Sequence, residues 1–331
     1  MNIAIVGATG KVGQIIIKVL QERNIKADNF YLFASKKSAG KVVSIFNKDY
    51  VVELLDEKNI KNKKIDYALF SAGGTISRIF APIFASYGAI VIDNSSAFRQ
   101  EKTVPLVVPE VNKEDLLLPS KVIANPNCST IQAVLPLKVL DEKYGIKRVV
   151  YSTYQAVSGA GQRGTEDLEN GIKGIAPKKF VHPIFNNVLP QIDDFLDDGY
   201  TKEEQKMIFE TRKILHRPDL PITATTVRVP VFDCHSESIN VELENDFDIE
   251  QVKRDFASFE NLIVVDDISK NLYPMPINCV DRDEVFVGRI RRDYSVKYGL
   301  NIFVVADNIR KGAGTNAVQI LQELLKNKEK L

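Results

Sequence analysis

The sequence predicts an α/β protein, with a doubly wound N-terminal domain followed by an α+β domain built on a mixed or antiparallel sheet. Three observations carry that expectation. Through residues 1–127, short apolar runs alternate with segments of helical spacing, the pattern of parallel strands joined by crossover helices. A glycine-spaced turn, Gly7-Ala-Thr-Gly-Lys-Val-Gly13, falls between the first strand and the first helix. Beyond residue 128 the alternation gives way to longer β-rich runs with few helices between them, which favours an antiparallel or mixed sheet.

Each element follows from its local pattern. Ile3–Val6 reads as a buried strand, and Val12–Leu20 carries helical spacing. Phe30–Ala34, Tyr67–Phe70, Ala89–Ile92, Leu106–Val108 and Val122–Ala124 read as further strands, and Ile76–Tyr87 as a helix. Lys41–Leu55 is β-rich and fits a small hairpin inserted after the second strand. In the second part Val149–Val157, Thr225–Phe232, Ser238–Leu243, Val285–Arg291 and Leu300–Val305 are strand-like. Thr201–Leu215 is a charged helix opening Thr-Lys-Glu-Glu, a capping-box pattern. Thr315–Lys328 is amphipathic, with Val318, Leu321, Leu324 and Leu325 on one face. The expected division is a Rossmann-type domain at 1–127, completed by a C-terminal helix within 308–331, and a catalytic and dimerisation domain at 128–307.

Composition narrows the function. The chain has 331 residues, and 44 Lys and Arg stand against 43 Asp and Glu, for a formal charge of +1. Such a balance gives no broad field for nucleic acid or a membrane surface. No apolar run approaches the roughly 20 residues that span a bilayer, and the N-terminal Met1-Asn-Ile-Ala-Ile-Val-Gly7 lacks the basic and apolar regions of a signal peptide. Cys128, Cys234 and Cys279 are odd in number and widely spaced, so neither a disulfide framework nor a metal site is expected, and a cytoplasmic setting fits.

The most informative stretch is Val122-Ile-Ala-Asn-Pro-Asn-Cys-Ser-Thr130. It places Cys128 at the start of a helix, where the dipole favours thiolate and the amides of the first turn could hold an oxyanion. A buried structural cysteine would fit the same run. His235 follows the strand-like Thr225–Phe232, whereas His182 and His216 lie near prolines in irregular sequence. A histidine near neutrality is the natural acid/base partner of a cysteine nucleophile, although spacing alone does not bring His235 to Cys128. Gly7, Gly10 and Gly13 suit a turn that lets backbone approach a pyrophosphate. At the end of the second strand, Ser35, Lys36, Lys37 and Ser38 offer hydroxyls and cations but no carboxylate. That set suits a 2′-phosphate, or else it is a solvated loop. Arg99 follows a strand end and could clamp an anion, and Gln155 opens a glycine-rich turn.

In this order the pieces resemble the aspartate-semialdehyde dehydrogenase family. The matching blocks are Gly7–Gly13, Asn94-Ser-Ser-Ala-Phe-Arg99, Asn125–Thr130, Gln155-Ala-Val-Ser-Gly-Ala-Gly161, Arg228-Val-Pro-Val with His235-Ser-Glu237, Val287-Gly-Arg-Ile-Arg-Arg-Asp293 and Asp307-Asn-Ile-Arg-Lys-Gly-Ala313. The resemblance implies NADPH-dependent reduction of L-aspartyl 4-phosphate to L-aspartate 4-semialdehyde through a cysteine thioester, in a homodimer or homotetramer. It makes Cys128 the acylated nucleophile, His235 the acid/base and Gln155 the residue that holds substrate near the thiol. Arg228 would bind the α-carboxylate and Glu210 the α-amino group, while Arg99, Asn127 and Lys213 would receive the phosphate. NADP contacts would come from Thr9, Gly10, Lys11, Val12, Ser35, Lys36, Lys37, Ser38, Ser71, Gly73, Asn94, Ser158, Gly159 and Asn308. One departure is visible: the family usually has glycine before the catalytic histidine, and here it is Cys234. The short span between Gly171 and Phe185 implies a reduced active-site lid. Two alternatives remain, another acyl-phosphate reductase such as N-acetyl-glutamyl-phosphate reductase, and a non-catalytic NADP-binding regulator.

Overall fold

A computed structural model describes residues 1–328; positions 329–331 of the expected C-terminal segment lie outside the described residues. The chain divides into two compact units, Met1–Pro126 with the segment from Ala313 onward, and Asn127–Gly312.

In the first unit β1 (Asn2–Val6), β2 (Asn29–Ala34), β3 (Val42–Ile45), β4 (Lys48–Leu54), β5 (Tyr67–Phe70), β6 (Ile90–Asp93) and β7 (Val122–Ala124) form one sheet, in the order β3-β4-β2-β1-β5-β6-β7. Every neighbouring pair is parallel except the β3–β4 hairpin. Strands buried on both faces read as unbroken apolar runs, and β5 is buried at each of its positions. The hairpin expected at 41–55 forms, and its second strand also joins the main sheet by pairing Val52 with Leu32. The strand expected at Leu106–Val108 reduces to a single bridge, Leu106 with Ala124. Pro105 and Pro109 bracket it, and prolines donate nothing to a ladder. From β1 the chain turns first to β2 on one side and later to β5 on the other. The carboxyl ends of β1 and β5 therefore flank the crevice where doubly wound sheets take ligands. The helix Asn316–Lys328 packs Ala317, Val318, Ile320 and Leu321 against Ile3, Ile16 and Leu20. The boundary expected at 308 falls at 313, so Asn308 belongs to the second unit.

The second unit holds β8 (Ile146–Gln155), β9 (Ile222–Arg228), β10 (His235–Leu243), β11 (Leu262–Val264), β12 (Val285–Asp293) and β13 (Gly299–Ala306), ordered β11-β12-β13-β10-β8-β9. The centre is antiparallel, and the pairs β11–β12 and β8–β9 are parallel, so the sheet is mixed. The strand expected to reach Phe232 stops at Arg228, ahead of Pro230, which has no N–H for a ladder. Helix Cys128–Tyr144 packs on β8, β10, β12 and β13 and on the helices Lys202–Ile214 and Ile249–Ala257. Covered in this way it carries apolar residues all round instead of one stripe. Helices Gln162–Ile172 and Ile249–Ala257 were not foreseen, because each buries only two large apolar side chains or fewer, Leu168 in one and Val252 with Phe256 in the other. Among the described residues no helix is long and apolar enough to cross a membrane.

Candidate active site

Cys128 is the first residue of its helix, half-buried and unbridged. Asn127 caps that helix: its Oδ1 accepts the N–H groups of Ser129 (3.0 Å) and Thr130 (3.3 Å). Two of the first-turn amides expected to face an oxyanion thus serve the cap. Gly312 lies against the nucleophile; a Cβ there would stand 2.9 Å from the Cys128 Cβ.

The other groups come from the ends of three neighbouring strands. Gln155 ends β8 and pairs with Arg228, which ends β9. Ser236 pairs with Tyr154, so His235, the first residue of β10, comes level with Gln155 on the next step. All three are buried. Strand alternation puts a second row, Glu237, Thr153 and Thr226, directly behind them on the same face. The Nδ1 of His235 accepts the Ala156 N–H at 3.0 Å, which leaves the proton of the neutral ring on Nε2. Among the described residues that Nε2 has no hydrogen-bond partner. Burial, and then the charge of Arg228, hold the imidazole well below its ordinary pKa. The resting ring is therefore neutral and offers an N–H. Gly159, expected at the cofactor, also leaves room for this pair: a Cβ would come within 3.0 Å of both His235 Nε2 and Arg228 Nη1. Arg228 donates from Nη1 to the Ala156 carbonyl (2.8 Å), while its Nε lacks a partner among the described residues. Burial lowers its pKa against the opposing pull of Glu203 and Cys128.

The acid that joins this group is Glu203, which the sequence reading missed. Its Oε1 accepts from Asn127 Nδ2 (2.9 Å) and Gln155 Nε2 (3.3 Å), and its Oε2 from Lys206 Nζ (3.2 Å). Burial works to raise its pKa, but Lys206, the Asn127 amide and Arg228 outweigh it and keep the carboxyl ionised. Glu210, expected to meet the substrate amine, instead accepts the backbone N–H of Asn127 at 2.6 Å. Lys213 places its Nζ 6.0 Å from the Phe209 ring centre. Glu203 and Lys206 repeat the spacing of Glu210 and Lys213 seven residues earlier, about two helical turns and so nearly the same face. Helix periodicity alone could not choose between them.

Cys234, the departure noted above, has φ +71°, a left-handed conformation that favours glycine. Its thiol is accommodated in a buried cluster with Cys279, Phe286 and Val305, and its N–H is held by Asn308 Oδ1 at 2.9 Å. Asn308 also donates to Ser158 Oγ at 3.1 Å. These two expected cofactor contacts thus brace the approach to His235.

In the first unit, the turn after β1 is tightly built. Gly7 has φ +86°, and a Cβ on Gly13 would stand 2.2 Å from the Gly7 carbonyl. Among the described residues no side chain caps the following helix, Lys11–Glu22, whose N-cap is Gly10 and whose first turn carries no acid. An uncapped helix start behind a glycine turn fits a pyrophosphate. Ser71 follows β5 and touches Gly7, and Gly73 (φ +90°) has open space where a side chain would stand. Ser35, Lys36 and Lys37 are exposed beyond β2. Arg99 is buried and spends Nε and Nη2 on the carbonyls of Asn125 (2.9 Å) and Asn94 (2.8 Å). The Asn94 side chain bonds Phe70 and Asn125, so part of this expected anion and cofactor set ties strand ends together.

The profile described as "Semialdehyde dehydrogenase, NAD binding domain" matches residues 2–118, and "Semialdehyde dehydrogenase, dimerisation domain" matches 137–311. The chain belongs to the semialdehyde dehydrogenase family. It is thus an oxidoreductase with a nicotinamide-dinucleotide domain and a domain for oligomer formation. Curated relatives named aspartate-semialdehyde dehydrogenase include those of Aquifex aeolicus, 54% identical, and Bacillus subtilis, 44% identical, each match covering 98% of both chains. The solved structure of Vibrio cholerae aspartate semialdehyde dehydrogenase II complexed with ASA superposes with a TM-score of 0.93 at 42% identity, covering 98% of both chains. A Candida albicans aspartate semialdehyde dehydrogenase with NADP gives 0.77 at 26% identity, covering 100% of this chain and 99% of that one.

Proposed function

We propose that this semialdehyde dehydrogenase catalyses the NADPH-dependent reductive dephosphorylation of L-aspartyl 4-phosphate to L-aspartate 4-semialdehyde through a thioester on Cys128. The observation that carries this reading is the pairing of Arg228, with its unpartnered buried Nε, and the ionised Glu203 around Asn127 and Gln155. A cation and an anion beside a nucleophile match the carboxylate and ammonium of a free α-amino acid. An N-acetylated substrate offers no charge to Glu203, which speaks against the N-acetyl-glutamyl-phosphate alternative.

The Cys128 sulfur attacks the acyl carbon, the C–O bond to phosphate breaks, and inorganic phosphate leaves with that electron pair. The phosphate is assigned to Arg99 on the family resemblance alone, since its Nε and Nη2 already hold main-chain carbonyls. A bound reduced nicotinamide would supply the hydride to the thioester carbon, and cleavage of the C–S bond would then release the aldehyde and return the electron pair to the Cys128 sulfur. A thioester accepts hydride far more readily than a carboxylate, so one hard reduction becomes two easier steps. His235 presents its Nε2–H to the oxygen that gains negative charge, and Gln155 holds the carbonyl near the sulfur. Lys206 keeps Glu203 ionised for the substrate ammonium, the role assigned to Glu210 on sequence.

The preference for NADP rests on the Ser35–Ser38 loop, which has hydroxyls and lysines but no acid. Three free cysteines suit a reducing, cytoplasmic compartment, and the dimerisation domain acts in a homodimer or homotetramer. The deciding experiment is NADP reduction by the purified protein with aspartate semialdehyde and phosphate. Turnover that requires both is expected. Turnover only with N-acetylglutamate semialdehyde would favour the alternative reductase, and none with either aldehyde would favour a silent regulator.

A further inference from the structure

Asp167 lies in the helix Gln162–Ile172 and is 3% exposed. Its carboxylate accepts three consecutive backbone N–H groups: Oδ1 takes Lys178 (2.8 Å), and Oδ2 takes Lys179 (2.7 Å) and Phe180 (2.8 Å). Three amides on one buried carboxylate make a strong, directional anchor for a loop that otherwise has no regular structure. Burial works to raise the pKa of this group, and the three amides with Lys178 reverse that and hold it low.

What the anchor holds in place includes the aromatic ring beside Arg228. The Phe180 ring packs on Val157, Leu168, Ile184 and Leu189, and its centre lies 6.0 Å from the Arg228 guanidinium carbon. Gly164, one turn ahead of Asp167, lets the ring close on the helix: a Cβ there would stand 3.2 Å from Phe180 Cζ. Leu189 exchanges both backbone hydrogen bonds with Arg228 (2.8 and 2.9 Å). With Nη1 fixed on the Ala156 carbonyl, the guanidinium is held along its main chain, at one nitrogen and against one aromatic face. Of these restraints, the aromatic face is the one carried by the loop that Asp167 ties down.

We propose that Asp167 is a positioning residue for substrate selection: by fixing the Lys178–Phe180 loop it orients Arg228 for the substrate's α-carboxylate. This rests on the reading above that Arg228 binds that carboxylate. Asp167 touches no reacting atom, and its effect is confined to substrates that carry the group Arg228 reads. It is a pre-organisation effect, in which the guanidinium is ordered before substrate arrives.

The test compares aspartate semialdehyde with 3-aminopropanal, which keeps the aldehyde and amine but lacks the carboxylate, in phosphate-dependent NADP reduction. Asp167→Asn keeps an acceptor but sets an NH2 group against amide donors. It should raise the KM for aspartate semialdehyde roughly three- to ten-fold, the share of a charge-assisted hydrogen bond that reaches the substrate. The kcat should hold, and the KM for 3-aminopropanal should not move. Phe180→Leu, which keeps an apolar wall without the ring, should shift the same constant in the same direction, and it serves as the test if Asp167→Asn does not fold. In an Arg228→Lys background either change should add little, because residues acting through one another are not additive. Equal effects on both aldehydes, or full additivity with Arg228→Lys, would overturn the proposal. An Arg228→Lys enzyme with an unchanged KM for aspartate semialdehyde would instead overturn the reading of Arg228 itself.

Discussion

Asn127 serves the fold and the site at once, and its substitutions separate the two. Its Oδ1 caps the helix that begins at Cys128, and its Nδ2 donates to Glu203 at 2.9 Å. Asn127→Ala loses both. A lost N-cap costs about 1 kcal/mol, and a lost hydrogen bond to a charged group costs about 1.5–3 kcal/mol. For a unit of this size each kcal/mol shifts the midpoint by about 2–4 °C, so the melting temperature should fall by roughly 5–15 °C. Asn127→Asp keeps the acceptor, and its charge suits the helix N-terminus. It also sets a second carboxylate against Glu203 at hydrogen-bond distance, where two like charges cannot both stay ionised. The Asp variant should therefore be more stable than the Ala variant at pH 5, where the two carboxyls share a proton, and lose that advantage by pH 8. Calorimetric melts of both variants and the parent at the two pH values check this, alongside the KM for aspartate semialdehyde. A near-parental melting temperature for Asn127→Ala would refute the capping account. A deficit in Asn127→Asp that did not change with pH would refute the contact with Glu203.

Three further outcomes follow from the same structure. Glu237 is fully buried, with both oxygens unpartnered among the described residues, and burial, then Glu203, hold its pKa well above the ordinary value. The native state thus binds more protons than the unfolded chain above the unfolded pKa of about 4.3, and stability falls as pH rises towards the folded value. Glu237→Gln should gain in melting temperature over the parent between pH 5 and pH 9, and a constant difference would show that Glu237 is ionised throughout. Cys128→Ala should abolish turnover while NADP still binds, and mass spectrometry should find the acyl adduct on Cys128 alone. Burial pushes the Cys279 thiol up to about 11 and the Cys234 thiol higher still, so an adduct on either would refute the assignment. Replacing Lys36 and Lys37 together by Ala should lower kcat/KM for NADP roughly ten-fold or more and leave NAD untouched, the loss expected from one charge-assisted bond. Equal losses for both cofactors would show that this loop does not read the 2′-phosphate.

The sequence by itself determined what local physics can encode. Gly7, Gly10 and Gly13 between an apolar run and a helix announce the first βα turn, and Thr201 with Glu204 announces a capped helix that forms as written. Asn127-Cys128 marks a helix start, because an asparagine ahead of an apolar run is a capping signal whatever surrounds it. Parallel strands were legible because burial on both faces makes them uniformly apolar. Tertiary structure decided what depends on distant partners. Glu203 and Glu210 lie on nearly the same face of one helix, two turns apart. Only the placement of that helix against Asn127 gives Glu210 the backbone N–H and Glu203 the side-chain amide and Gln155. His235 meets Gln155 and Arg228 only because β10 begins in fixed register where β8 and β9 end, and register is a property of paired strands that no single strand contains. The Asp167 anchor is silent in sequence for the same reason: a carboxylate declares its ionisation and its partners only when folding brings three amides to it.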